Sequence, residues 1–496
     1  MAIGSYANYN DTTGNHNVSI GSYSLVNSTN SNGAVAIGYK AAFSDTAANG
    51  IVAIGRAALY YNNGKMGNVA IGDSSLFSNN NGTLLPFQSL DNVAIGNHTL
   101  FSNTNGFKNT ATGSEALYTN IGGYYNLANG FKALNRNTEG YSNTAVGAFA
   151  LVNNTMGNDN VALGRTSLQQ NTTGNSNTAI GTYSLDNNNA GNGNSALGYR
   201  ALHRNNTGNN NSALGDSALY SNTGGFSNVA IGSKALKSNT TLSNLVAIGD
   251  SALFNAGSGS NGFGKYNTAV GSKALFTVTG ADVNTAVGYN ALKQTNGFGN
   301  TAIGAFAGTY VNGNFNTIIG SQNQTWTTPK SINGSVFIGL DAGQFESTSD
   351  KLYIENSGAN KDDALIYGDF SADSLLLNAK TVVRNNAVVK GYTKLGGYEA
   401  DVPSIKMKKI SVAAGPAVNA VQSYPLGSGI TDAKVVGIQV LMNYAGTWKI
   451  PPSYIDATGY EYNVQVQNNN IVVILKSGNS ANIGEKPISV IVTYEE

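Results

Sequence analysis

The residue types that most often carry catalysis are sparse in this chain. Its 496 residues include three histidines and no cysteine. The chain therefore has no cysteine ligand for a metal site and no thiol nucleophile. The histidines, His16, His98 and His203, lie far apart in the sequence. We therefore expect them at the surface, and we expect no metal site and no cofactor.

A glycine-rich stretch and a set of scattered acids also fail as catalytic motifs. Residues 257–265 contain the glycine spacing of nucleotide-binding loops, but Tyr266 stands where a P-loop needs Ser or Thr, and no strand–loop–helix pattern surrounds them. A glycosidase needs paired carboxylates, whereas Asp73, Asp216 and Asp250 are far apart. The sequence favours a protein that is not an enzyme.

The strongest pattern is a glycine that closes an Ala-Ile-Gly-like triplet, most often every 17 residues. These glycines are Gly4, Gly21, Gly38, Gly55, Gly72, Gly96, Gly113, Gly130, Gly147, Gly164, Gly181, Gly198, Gly215, Gly232, Gly249, Gly271, Gly288, Gly304, Gly320 and Gly339. A short fixed period is typical of a solenoid, in which each coil buries its apolar side chains against its neighbours.

Each coil combines a short strand with turn residues. A small residue and Leu follow the glycine, as in Ala235-Leu236, and an Asn- and Gly-rich stretch comes next. The coil closes on a β-branched triplet and glycine, as in Ile180-Gly181 and Ile231-Gly232. No helical period is sustained. These residues predict an all-β solenoid, and Ile180, Gly181, Ile231, Gly232 and Leu236 represent its structural positions.

Alternation along the strand separates two faces. Val229 and Ile231 share one face, and Ala230 lies on the other. A coil of 17 residues encloses a thin core, which we expect to be about one Ile and one Leu deep. The alanine face would then pack against another copy of the chain. We therefore predict a homo-oligomer, most simply a homotrimer.

Asn228-Val229-Ala230-Ile231-Gly232 and its relatives resemble the head repeats of YadA-type trimeric autotransporter adhesins. The resemblance covers residues 1–340 and implies a left-handed parallel β-roll with three chains around one axis, although that family's usual coil is shorter than 17 residues. The same arrays are similar to tail fibres of phages and phage-like contractile injection systems. Residues 351–356 and 365–370 resemble a module that follows such arrays.

Beyond residue 340 the period is lost, and residues 341–404 are predicted to form a connector of short strands. Five strand-like runs within residues 405–496 predict a β-sandwich or small barrel, with a hairpin at residues 468–470. Insertions near residues 80–89 and 257–265 interrupt the repeat of the shaft. Each insertion could form a binding loop or could pack on a neighbouring chain, and the sequence leaves both roles open.

Aromatic residues recur five positions after the glycine and should form a broken stripe along the shaft. The members are Tyr60, Phe77, Phe101, Tyr118, Tyr220, Phe254 and Phe276. We expect this stripe to pack coils or chains rather than to stack on sugars. A second aromatic group in the C-terminal domain is the predicted receptor-binding site: Tyr444, Trp448, Tyr454, Tyr460 and Tyr462. A trimer-clamping role for that domain stays open.

Charged residues make up 11% of the chain and the net charge is +1, which argues against nucleic-acid binding. No apolar run is long enough to insert into a membrane. The chain begins inside a repeat with no secretion signal, so we expect synthesis in the cytoplasm and export on a virion or extracellular particle.

Together these features predict a trimeric fibre of a phage or phage-like contractile particle. It would bind a baseplate or other particle protein and a glycan or protein receptor on a bacterial surface. The alternatives are a trimeric cell-surface adhesin or structural stalk and, less favoured, a tailspike glycosidase.

Overall fold

A computed structural model describes residues 1–79, 88–257, 264–321, 330–358, 360–378, 393–395, 405–412, 421–426, 430, 435–444, 447–449, 462–475 and 488–495. The chain divides into two compact units, Met1–Lys380 and Thr381–Glu496. The first unit extends beyond residue 340, where the sequence predicts the end of the shaft. In the described part of the chain, no helix is long and apolar enough to cross a membrane.

The first unit is a parallel β-solenoid, as predicted. Its parallel strands are β1 (Ala2–Ile3), β2 (Val18–Ile20), β3 (Val35–Ile37), β4 (Val52–Ile54), β5 (Val69–Ile71), β6 (Val93–Ile95), β7 (Thr110–Thr112), β8 (Leu127–Asn129), β9 (Thr144–Val146), β10 (Val161–Leu163), β11 (Thr178–Ile180), β12 (Ser195–Leu197), β13 (Ser212–Leu214), β14 (Val229–Ile231), β15 (Val246–Ile248), β16 (Thr268–Val270), β17 (Thr285–Val287), β18 (Thr301–Ile303), β19 (Thr317–Ile319), β20 (Val336–Ile338) and β21 (Lys351–Ile354).

Each strand pairs in register with the strand of the next coil. Ala162 of β10 lies opposite Ala179 of β11, 17 residues later, and Leu163 lies opposite Ile180. A coil therefore hydrogen-bonds to both neighbours; for example, the Leu236 amide donates to the Ala252 carbonyl at 3.0 Å. Equivalent residues of successive coils stack on one another. Residues at the same coil position therefore form a column along the solenoid.

The periodic glycine follows from the close approach of successive coils. Gly232 has φ of +126°, and a Cβ built on it would lie 2.5 Å from the carbonyl oxygen of Gly249 in the next coil. A side chain at this position would meet both backbone strain and a backbone clash.

The burial of the two strand faces is the reverse of the prediction. Ala230 is fully buried inside the coil, whereas Ile231 is 38% exposed and Val229 is half-buried. Ala235 and Leu236 are fully buried in the same core, so Leu fills the interior from the opposite wall and leaves room only for a small residue on the strand. The predicted inward position of Ile231 is therefore wrong for the single chain.

Two exceptions near the end of the solenoid support this volume argument. Ile318 and Phe337 occupy the position that Ala holds in most other coils, and both are buried. Gly308 and Gly343 occupy the position of the core Leu, and a Cβ on Gly343 would lie 2.7 Å from the ring of Phe337. A large strand residue is thus accommodated where the opposing Leu is absent.

The core Leu has a left-handed backbone conformation. φ is +51° at Leu236 and +49° at Leu185, and both side chains are fully buried. This conformation is especially costly for β-branched residues, whose second γ atom crowds the backbone. The requirement explains why Leu occupies this position while Ile and Val occupy the extended strand.

Two columns of buried asparagine complete the interior. At the first, Asn188 Nδ2 donates to Asn171 Oδ1 at 2.8 Å and to the Gly191 carbonyl at 2.9 Å. At the second, Asn177 Nδ2 donates to Asn160 Oδ1 at 3.1 Å and to the same carbonyl at 2.8 Å. Each amide therefore bonds both to a neighbouring coil and to the backbone. The Asn-rich stretch supplies buried ladders as well as turns, a feature that the sequence reasoning missed.

Antiparallel strands follow the last parallel strand. β21 pairs with β22 (Ile366–Asp369), which pairs with β23 (Ser374–Leu377); a 3-10 helix, Phe370–Ala372, separates the latter two. The ring centroids of Phe337 and Tyr353 lie 5.8 Å apart, and those of Tyr353 and Tyr367 lie 5.1 Å apart. Aromatic side chains thus replace the alanine interior at this end of the solenoid.

The second unit contains two antiparallel sheets. One has the order β24 (Thr393–Leu395), β25 (Ile405–Val412), β31 (Ile488–Glu495), β27 (Val435–Tyr444) and β28 (Thr447–Lys449); the other has β26 (Val421–Pro425), β30 (Asn470–Leu475) and β29 (Tyr462–Gln467). Ile471 and Val473 of the second sheet share one apolar core with Val490 and Val492 of the first. Asn468 and Asn469, both with positive φ, form the predicted hairpin turn.

Candidate functional site

The most extensive candidate surface is the outward face of the solenoid strands. We call it the strand face: the side chains of the first and third residues of β2–β20. The third position is the more exposed, with Leu197 at 46%, Ile231 at 38% and Ile303 at 42%. In most strands the third residue is Ile, Leu or Val, and these side chains form an apolar column that Thr112 and Asn129 interrupt. An exposed apolar column of this length is characteristic of an association surface.

The predicted aromatic stripe exists as a stack of rings. Phe43 precedes the predicted members and lies 4.9 Å from Tyr60; the following pairs, as far as Phe101 and Tyr118, have centroid separations of 4.9–5.2 Å and nearly parallel planes. Phe254 and Phe276 form a further stacked pair at 5.1 Å. These rings contact one another from coil to coil, which is the packing role that the sequence favours.

Tyr220, the remaining member of the stripe, stacks on a histidine. His203 and Tyr220 have centroids 5.1 Å apart, and His203 Nδ1 lies 3.6 Å from a carboxylate oxygen of Asp186. Burial raises the pKa of Asp186 to about 6 and lowers the pKa of His203, so it opposes the charged form of both groups. Asp186 is buried and His203 is half-buried, and the position of His203 differs from the surface position that we expected for the histidines. The signal in the sequence was their shared coil position with the aromatic rings.

The other histidines and acids do not form a catalytic arrangement. His98 packs edge-on against Phe101 at 5.5 Å, and the Asp73 carboxylate pairs with Arg56 at 2.6 Å on the surface. Asp216 and Asp250 are exposed. Among the residues that the structure describes, no group of three or more His, Asp or Glu side chains is arranged to hold a metal ion.

A second buried acid occurs in the first asparagine column. Asp45 is fully buried, and its two carboxylate oxygens accept from Asn62 Nδ2 at 2.6 Å and from the Gly64 amide at 2.9 Å. Burial raises the pKa of Asp45, while these hydrogen bonds oppose that shift. Asp45 is therefore a bonded member of the column, and nothing in this arrangement indicates catalysis.

The C-terminal aromatic residues are only partly described. Tyr444 ends β27 and Trp448 lies in β28, where its backbone pairs with that of Asn443 across a hairpin. Tyr462 begins β29 in the other sheet. Tyr454 and Tyr460 lie outside the described residues, as do Leu84, Leu85 and Phe87 of the first insertion. The predicted binding group thus draws on both sheets, and its role stays a prediction.

The structure defines the class of the first unit as a parallel β-solenoid with coils of about 17 residues. Comparison with protein-family models, with curated proteins and with solved structures finds no match. The resemblance to YadA-type head repeats therefore depends on the repeat residues themselves, and the solenoid agrees with it at the level of architecture.

Proposed function

We propose that the protein is a homotrimeric fibre that attaches a phage or phage-like contractile particle to a bacterial surface. The solenoid would serve as its shaft, and the C-terminal unit would bind a surface glycan or protein. Binding would occur without turnover. The observation that carries the proposal is the strand face, a column of exposed Ile, Leu and Val side chains along consecutive coils.

Another copy of the chain is the occupant that best matches the strand face. A partner must present apolar groups with the spacing of the coils, about 4.8 Å. A second solenoid has that spacing by construction. Around an axis parallel to the shaft, each residue would meet its own equivalents at the same height. The exposed Asn129 would then face Asn129 of the other copies, where its amide could bond to them.

The number three comes from the resemblance to YadA-type heads, and the particle comes from the resemblance to tail-fibre arrays. A baseplate or other particle protein would hold one end of the fibre. The hairpin that contains Tyr444 and Trp448 supports the proposed receptor site because turns and loops on a β-scaffold commonly carry recognition.

Cell fractionation tests this assignment. An antibody against the full chain should label extracellular particles that also contain sheath and tube proteins. Labelling of the intact cell envelope, with none on such particles, would favour a surface adhesin or stalk. For receptor binding, Trp448→Ala in the full chain should weaken adhesion to target cells. Phe131→Ala, at a 43% exposed shaft aromatic, is the matched control and should not.

A further inference from the structure

A group of basic and aromatic side chains lies on one side of the solenoid, over four consecutive coils. We call it the arginine–tyrosine cluster. Its members are Arg165, Tyr183, Tyr199, Arg200, Arg204 and Tyr220. It belongs neither to the strand face nor to the C-terminal aromatic group, so it constitutes a separate surface feature.

Two guanidinium groups are held against tyrosine rings in one half of the cluster. Arg165 Nη2 donates to the Tyr183 hydroxyl at 2.5 Å, and its guanidinium lies 5.2 Å from the centre of the same ring. Arg200 lies 5.8 Å from the Tyr183 ring and 4.9 Å from the Tyr199 ring. The bond to Tyr183 uses one N–H of Arg165. A guanidinium group carries five N–H donors, so the remaining donors of Arg165 and the Nη donors of Arg200 can bind an anion.

The second half continues the same surface. The Arg204 guanidinium lies 5.4 Å from the centre of the Tyr220 ring, which stacks on His203. The ring of His203 lies 6.3 Å from that of Tyr183 and joins the two halves. A row of rings and guanidinium groups therefore extends over successive coils.

In the part of the chain that the structure describes, the arginines of this cluster lack acidic partners, whereas two other basic residues of the solenoid have them. Arg56 pairs with Asp73 at 2.6 Å, and Lys132 lies 3.5 Å from Glu115. By contrast, the described residues provide no ion pair to Arg165, Arg200 or Arg204.

Two atoms at the cluster also lack hydrogen-bond partners. Arg200 Nε is buried without an acceptor, and Oδ1 of Asp186, which lies beside His203 and is not a member of the cluster, is buried without a donor. The cluster consequently has positive charge and an unsatisfied guanidinium nitrogen on Arg200, whose side chain lies beside the exposed Tyr199 ring.

We propose that the arginine–tyrosine cluster binds an anionic saccharide. Guanidinium groups recognise carboxylate or phosphate through paired N–H donors, and tyrosine faces stack on the C–H face of a sugar ring. Tyr199 is 45% exposed, which leaves its ring accessible. Since the coils repeat along the solenoid, successive sugar units of one polymer could contact both halves. This site is independent of the proposed C-terminal receptor site.

Binding of the full chain to polygalacturonate, with dextran as the uncharged polymer, tests this proposal by calorimetry. We expect binding to polygalacturonate only. The double variant Arg165→Gln/Arg200→Gln should weaken it about tenfold or more, as expected for the loss of charge-assisted hydrogen bonds. Tyr199→Ala should also weaken it, with an unchanged circular dichroism spectrum.

Arg136→Gln is the matched control. Arg136 is exposed and occupies the same position of its coil as Arg204, but Val152 stands where the next coil would supply a ring. This variant should retain the affinity. Equal weakening by Arg136→Gln, or full displacement of the polymer by inorganic phosphate at equal anion concentration, would overturn saccharide recognition. So would absence of binding to polygalacturonate. A change of native mass in the double variant would instead identify an intersubunit contact and would also overturn the proposal.

Discussion

The buried asparagine column permits a sharp test of the stacked interior, at Asn205. Its Nδ2 donates to Asn188 Oδ1 at 2.7 Å and to the Gly208 carbonyl at 2.9 Å, while its Oδ1 accepts from Asn222 Nδ2 at 2.8 Å. Asn205→Asp keeps the shape of the side chain but removes both donated bonds. The Gly208 carbonyl still accepts from Asn194 Nδ2 at 2.8 Å, so the substitution leaves Asn188 Oδ1 as the acceptor without a donor. A buried acceptor left unpaired costs about 1–3 kcal/mol, and we expect a loss of that size in the free energy of unfolding at neutral pH.

This loss should depend on pH with a definite sign. Burial beside two acceptor oxygens should raise the pKa of the introduced carboxyl above its unfolded value, so its cost grows as pH rises through the folded pKa. Below that pKa the protonated group can donate one bond to Asn188 Oδ1, and most of the loss should be recovered. Each unit of pKa shift corresponds to about 1.4 kcal/mol.

Denaturant unfolding at pH 4 and pH 8 measures both effects. Asn206→Asp is the control because Asn206 is adjacent and exposed, and it should change stability by less than about 0.5 kcal/mol at either pH. Equal losses in the two variants, or a loss at Asn205 that does not vary with pH, would refute the buried ladder.

Further substitutions test the packing and the electrostatics. Ala230→Asp places an unpaired charge in the core and should lower the free energy of unfolding by about 3–5 kcal/mol in thermal or denaturant unfolding. Ile231→Asp should leave the coil folded and weaken self-association. A larger loss of stability for Ile231→Asp than for Ala230→Asp would contradict the observed burial of the two strand faces. Gly232→Ala should lower the free energy of unfolding by about 2–6 kcal/mol through backbone strain and overlap with the next coil. Gly224→Ala is the control and should be tolerated, because a Cβ there meets only a side-chain oxygen at 3.7 Å. Similar melting temperatures for the two variants would refute the clash at Gly232. Because the pKa of Asp186 is raised to about 6, its contribution to stability is lost as pH rises from about 4 through 6. Asp186→Asn should therefore raise the stability by about 1–2 kcal/mol at pH 8 and by little at pH 4, and a larger gain at pH 4 would contradict the shift.

The sequence predicts the architecture well because the period alone constrains it. A glycine repeating at one position requires equivalent residues to stack, and Gly232 shows the close backbone approach that makes a side chain unacceptable there. The C-terminal strands were also predictable from β-branched runs and from the turn at Asn468 and Asn469.

The orientation of the strand faces could not be derived from alternation. Ala230 and Ile231 must point to opposite sides, but alternation does not say which side is inside. The volume of the opposing Leu236 decides it, and Phe337 opposite Gly343 shows the same rule in reverse. The sequence pairs a large residue at one of these two coil positions with a small residue at the other. Comparing the two positions along the repeat could have shown that they share the interior.

The arginine–tyrosine cluster was missed for a different reason. Its members occupy several positions of their coils, so no single column of the repeat contains them. Arg165 and Arg200 become neighbours only because both lie beside the Tyr183 ring. Asp186 was missed although it shares its coil position with the aromatic rings, because a lone acid in a polar repeat is normally interpreted as solvated surface.

Native mass spectrometry of the full-length chain is the most direct test of the central claim that the strand face joins copies of this protein. One chain has a mass of 51.3 kDa. We expect a folded species of three chains, about 154 kDa, that loses subunits when Ile231 and Ile303 are replaced by Asp. A folded, unassociated chain of 51.3 kDa at micromolar concentration would contradict the account.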